Sequence, residues 1–90
     1  MTPRHQHLLR ICQEALVGGW TAQSTGEKLL TALILNRGDW LSEMGYTMAD
    51  AIDRVGLDWI ALIPDVAKTL REEGQILDTI PTLRSSATTQ

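Results

Sequence analysis

Ser24-Thr-Gly-Glu-Lys-Leu-Leu-Thr-Ala-Leu-Ile-Leu-Asn-Arg-Gly38 is the stretch on which the fold turns. It opens with the spacing of a capping box: Ser24 accepts from the backbone and Glu27, three residues on, reaches back. Leu29, Leu30, Leu33, Ile34 and Leu35 follow, and Gly38 marks a stop. Five large aliphatics in seven residues form a face too broad for a helix with one side in water. This helix, about residues 25–37, is therefore expected either at the centre of a core or shared with a second copy of the chain.

The chain before it reads as a second helix, over residues 3–17. Thr2 is placed to cap and Pro3 suits the first helical position. Leu8, Leu9, Ile11, Cys12, Ala15 and Leu16 recur at three- and four-residue spacing, and Gly18-Gly19 ends the run. After Gly38 the segments shorten. Asp39 is positioned to cap a brief helix through Trp40, Leu41 and Met44, closed by Gly45. Thr47 with Asp50 starts another, in which Met48, Ala51, Ile52 and Val55 share a face up to Gly56. Asp58 is positioned to cap a third, through Trp59, Ile60 and Ile63. Pro64 then demands a kink or a new start, and Val66, Ala67 and Leu70 continue to Gly74. Beyond it, Ile76, Leu77, Ile80 and Leu83 are expected to return to the core, with Pro81 preventing a long helix. Residues 85–90, small and polar, are expected to be disordered.

The expected architecture is all-α: a single domain over residues 1–83, built as a bundle of four to five helices, with residues 84–90 as a tail. Composition agrees. Hydrophobic residues make up 43% of 90, with only three Val and no Phe, a mixture that favours helices over sheets. A chain this short buries about 60–65% of the surface it exposes when unfolded, so its stability margin is thin. Gly38-Asp-Trp-Leu41 echoes Leu57-Asp-Trp-Ile60, but nineteen residues is too short for a helical-pair repeat. Coincident helix-start chemistry accounts for the echo.

Charge and cysteine usage narrow the setting. Residues 1–38 hold four cations against two acids, whereas residues 39–78 hold nine acids against three cations, within a net charge of −3. The second half thus repels phosphate and suits a basic protein surface. One cysteine forms no internal disulfide, no run reaches the roughly 18 apolar residues of a membrane span, and residues 1–7 lack a signal-peptide layout. A cytoplasmic protein without membrane association is expected.

Chemistry-bearing sets fall short one by one. His5 and His7 stand about 200° apart around a helix, and no further His or Cys completes a set with Cys12, so no metal is expected. Cys12 lies on an apolar stripe, no serine pairs with a histidine, and Asp50 and Asp53 share a face on which Asp50 also stands four residues from Arg54. Thr25-Gly-Glu-Lys28 lacks the spacing of a phosphate loop, and no cofactor is expected.

Residues 47–65 have the outline of a helix-turn-helix, which gives the alternative reading: a DNA-binding regulator. Its second helix would begin Asp58-Trp-Ile-Ala-Leu-Ile-Pro-Asp65, with two acids, an internal proline and no base-reading Arg, Lys, Asn or Gln. The first reading is instead a non-enzymatic protein-binding module: an accessory subunit, adaptor, inhibitor or regulator. Its candidate contacts are Trp20, Leu30, Ile34 and Trp40, with Asp50 and Asp53 for a basic partner. A homodimer through residues 25–37 is the specific form of this reading. The tryptophans read equally as core anchors or interface anchors.

Overall fold

The computed structural model describes residues 2–74, which form six helices and, among the described residues, no strand. They are α1 (Pro3–Glu14), α2 (Thr25–Ile34), α3 (Gly38–Met44), α4 (Met48–Val55), α5 (Leu57–Ile60) and α6 (Ile63–Glu72). Five exceed one turn and α5 is a single turn, so the all-α bundle read from the sequence is the fold. The expectations for Ile76–Leu83 and for the C-terminal tail lie outside the described residues.

Three of the helix starts are those the caps specify. Thr2 Oγ1 accepts the His5 N–H at 3.2 Å, with Pro3 in the first turn. Ser24 and Glu27 form a complete capping box, as do Thr47 and Asp50. Two others differ. Asp39 does not cap α3: Gly38 is already helical, and Arg37 grips the Asp39 carboxylate through Nε and a terminal nitrogen at 2.9 and 2.7 Å. Asp58 lies one residue inside α5, which Gly56 precedes.

The ends carry the other corrections. α1 widens into a π-helical turn over Ala15–Gly19, and Gly18, at φ +98°, stops it. Gly19 has a separate reason to be glycine, since a Cβ there would meet the Glu14 carbonyl oxygen at 2.9 Å. Trp20–Ala22 forms one 3-10 turn before α2. α2 stops before Gly38: Asn36 takes the left-handed conformation (φ 58°) and the Arg37 N–H reaches back to the Ala32 carbonyl at 2.8 Å. With the Asn36 N–H directed at Leu33 O, this is the Schellman arrangement with asparagine at the left-handed position. Pro64 sits in the first turn of α6, so its missing N–H removes no helical bond. The backbone at Ala61 and Leu62 stays in the right-handed helical region, so α5 runs into α6 through a kink.

α2 is the axis of the molecule and packs against α1, α3, α4 and α6. Its Leu30 and Ile34 join Leu8, Leu9, Ile11 and Cys12 of α1 and Val66, Ala67 and Leu70 of α6 in one dry cluster. Its Leu29 and Ala32 join Leu41 of α3 and Ala51 of α4 in a second. Much of its apolar face, Leu29, Leu30, Ala32 and Ile34, is thus buried within the chain.

A polar knot pins the connector between α1 and α2. The Gln23 side-chain amide donates to the Ile11 carbonyl at 2.7 Å and accepts from the hydroxyl of fully buried Thr31 at 2.8 Å. Thr31 Oγ1 also lies against the Glu27 carbonyl. Loss of one member leaves the others buried without a partner, which is why such knots fix a connector's path.

Candidate functional site

Four helices leave an open space between them. Leu33 of α2, Met48 and Ile52 of α4, Ile60 of α5 and Ile63 and Pro64 of α6 line an open groove of about 240 Å³. Among the described residues, all six that line it are apolar. The wall between α4 and α6 is carried by α5, which is one turn long and is followed by the kink at Ala61-Leu62. Met48 is 58% exposed at the mouth, and Leu57, three residues before Ile60 on α5, is 77% exposed. Isolated exposed aliphatics need no explanation, but a concave set drawn from four helices is the form in which an apolar ligand is held.

The volume decides between kinds of ligand. Small-molecule pockets run from about 300 to 1,000 Å³ and place a few polar groups at fixed positions. This groove is smaller, and its wall is mainly apolar. It suits an inserted aliphatic or aromatic side chain, the usual anchor of a protein interface.

The residues proposed from the sequence as partner contacts are distributed elsewhere. Leu30 and Ile34 are buried in the α1/α2/α6 cluster, and a contact through them would require that cluster to open. Trp20 is buried, not displayed: its indole N–H donates to the Lys28 carbonyl at 3.1 Å and its ring stacks on Trp40, centroids 4.5 Å apart and planes 18° from parallel. Lys28 Nζ lies 5.3 Å from the Trp20 ring centroid, and the Arg37 guanidinium 4.1 Å from that of half-buried Trp40. The pair locks the α2–α3 corner to the Trp20–Ala22 turn. Asp50 is exposed, but its carboxylate is spent on the α4 cap; Asp53 is exposed on the outer face.

The groove itself was not legible as a set, because its residues come from separated segments. Two signals pointed toward it: Met48 and Ile52 on one face of α4, and the surplus aliphatics of the Ser24–Gly38 stretch, of which Leu33 and Leu35 are left half-buried.

The outline of the helix-turn-helix is present over residues 47–65: α4, Gly56 and then α5, which runs into α6 through the kink at Ala61-Leu62, with Ile60 lining the groove.

Titratable groups gather at the other end. Arg10 donates to His7 Nδ1 at 2.9 Å, which leaves the His7 proton on Nε2, 3.2 Å from the Glu27 carboxylate. The Arg4 guanidinium lies 5.3 Å from the Trp59 ring centroid, with Asp58 at 3.9 Å. These contacts brace α1 against the start of α2 and against α5. Burial pushes the Cys12 thiol up to about 12, so it is no nucleophile. The hydrogen bond from Arg37 holds the Asp39 carboxyl below its usual range. Among the described residues no three His, Cys, Asp or Glu side chains form a metal-binding group, and no helix is long and apolar enough to cross a membrane.

Comparison with protein-family models, with characterised proteins and with solved structures found no match to this chain.

Proposed function

We propose that this chain is a non-enzymatic protein-binding module whose working surface is the apolar groove between α2, α4, α5 and α6. One observation carries the reading: six apolar side chains from four helices surround an open space and leave it unfilled. A small domain gains by closing such a space, because each buried methylene contributes about 0.8 kcal/mol. A partner that inserts one or two apolar side chains, with Met48 and Leu57 as the rim, collects that energy on binding. Eight acids against three cations over residues 39–74 favour a partner whose surface around the anchor is basic.

The nucleic-acid alternative has less in its favour. Its second helix is kinked before Pro64, and Asp58 and Asp65 on it oppose the phosphate contacts on which such affinity rests.

The test compares what co-purifies with the tagged full-length chain and with its Ile52→Asp and Ile60→Asp forms, using Glu43→Lys on exposed α3 surface as control. The proposal expects a partner retained by the control and lost from both groove variants, with circular dichroism confirming that the variants stay helical. A partner retained equally by all four chains would place the binding surface elsewhere.

A further inference from the structure

We infer that the ligand of the groove is a basic amphipathic α-helix of a partner protein, which rests on the reading of the groove as a docking surface and names the form of what docks there. Backbone chemistry decides the form. None of the lining side chains, Leu33, Met48, Ile52, Ile60, Ile63 and Pro64, carries a nitrogen or an oxygen. A segment laid over such a wall must satisfy its own peptide groups, because each buried N–H or C=O left unpaired costs about 1–3 kcal/mol. An extended segment gains its partners from a sheet edge, and among the described residues no strand supplies one. A polyproline segment docks between aromatic rings, and among the described residues none lines this groove. A helix closes its backbone hydrogen bonds internally and presents side chains alone.

Size gives the spacing of the anchors. Residues four apart on a helix lie about 5–6 Å from each other on one face. A pair of aliphatic side chains at that separation suits an open space of about 240 Å³.

Charge gives the sign of the flanks. Asp53 follows Ile52 on α4 and Asp65 follows Pro64 on α6, and both are exposed. Asp50 and Asp58 belong to the same stretch, the first engaged in the α4 cap and the second 3.9 Å from Arg4. Residues 47–65 thus set these four acids against one cation, Arg54, with Lys68 one turn further along α6. Lysine or arginine beside the anchors of a docking helix gains from this field, and acidic flanks are repelled by it. The same field opposes a second copy of this chain, which would bring its own acids to the contact.

The experiment titrates the full chain, ¹³C-labelled at its methionine methyls, with synthetic peptides of about fourteen residues. The first is built of alanine and lysine with two leucines four positions apart. The others have glutamate in place of lysine, a proline between the leucines, or the leucines moved to two positions apart. The expected result is a Met48 methyl signal that shifts with the first peptide while Met44, packed against the Leu29/Ala32/Leu41/Ala51 cluster, stays in place. The other three peptides should bind at least about tenfold more weakly. Added salt should narrow the gap between the lysine and glutamate forms. The inference is overturned if Met48 is unmoved by the first peptide at about millimolar concentration. A proline-broken or two-apart peptide that binds as tightly overturns the helix, and a glutamate form that binds as tightly overturns the basic flanks. A Met48 shift that grows with the concentration of the chain alone assigns the groove to a second copy and overturns the partner helix. In each case the co-purification test with Ile52→Asp decides separately whether the groove is a docking surface.

Discussion

α2 presents two apolar flanks, and their fates differ. On one, Leu30 and Ile34 meet α1 and α6 in a sealed seam with Leu8, Ile11, Cys12, Val66 and Leu70. On the other, Leu33 looks into a groove whose remaining walls, Met48, Ile52, Ile60, Ile63 and Pro64, stand apart. The amino acids are of the same kind on both sides. What differs is which helices carry the facing residues. α1 and α6 supply the seam, whereas the groove's other walls come from α4, the single turn of α5 and the first turn of α6. Hydrophobicity alone does not distinguish a core from a docking surface.

The contrast is broken most severely by truncating side chains on either flank. Leu70→Ala should cost about 2–5 kcal/mol by urea unfolding, because a sealed site leaves a cavity. Ile52→Ala should cost about 1 kcal/mol or less, since water already reaches the groove. Equal losses would mean that the groove is as closed as the seam.

Thr31→Val tests the polar knot that holds the α1–α2 connector against the sealed flank. It strands the Gln23 carbonyl oxygen and should cost about 1–3 kcal/mol. The double variant with Gln23→Leu should recover part of that loss if the knot acts as a unit.

A smaller and pH-dependent effect follows from Cys12. Its folded-state thiol is pushed up to about 12 from 9.0 by burial. Below pH 9 the thiol is protonated in both states and contributes nothing to the pH dependence. Between pH 9 and 12 the unfolded chain loses this proton and the folded chain keeps it, so stability falls as pH rises. The loss attributable to Cys12 should reach about 1 kcal/mol by pH 10. Parent and Cys12→Ala chains, unfolded in urea at pH 8 and pH 10, should differ in this slope. Identical slopes would show that the seam admits the thiolate.

The same contrast explains which features were legible in the sequence. Thr2, Ser24 and Thr47 are caps because their hydroxyls and the residues three places on act locally, and local chemistry can be read from spacing. Asp39 and Asp58 read as caps on the same grounds, but Arg37 captures Asp39, and Gly56 shifts the start of α5. Asn36 was hidden behind Gly38, the stronger glycine signal, although Asn36 holds the left-handed turn. Trp20 and Trp40 were open between core and interface, and their mutual stacking is a tertiary fact that spacing does not encode. The groove was least legible of all, since its lining residues come from four separate helices and meet only through the tertiary packing.

The most direct test of that central contrast is the stability of two matched charge insertions, Leu30→Asp on the sealed flank and Ile52→Asp in the groove. Water can reach a carboxylate at position 52 but not one at position 30, where burial without a partner is prohibitive. The account predicts that Leu30→Asp loses the folded state, whereas Ile52→Asp unfolds cooperatively in urea within about 2 kcal/mol of the parent chain. If Ile52→Asp also fails to fold, the groove is core and the proposed docking surface does not exist.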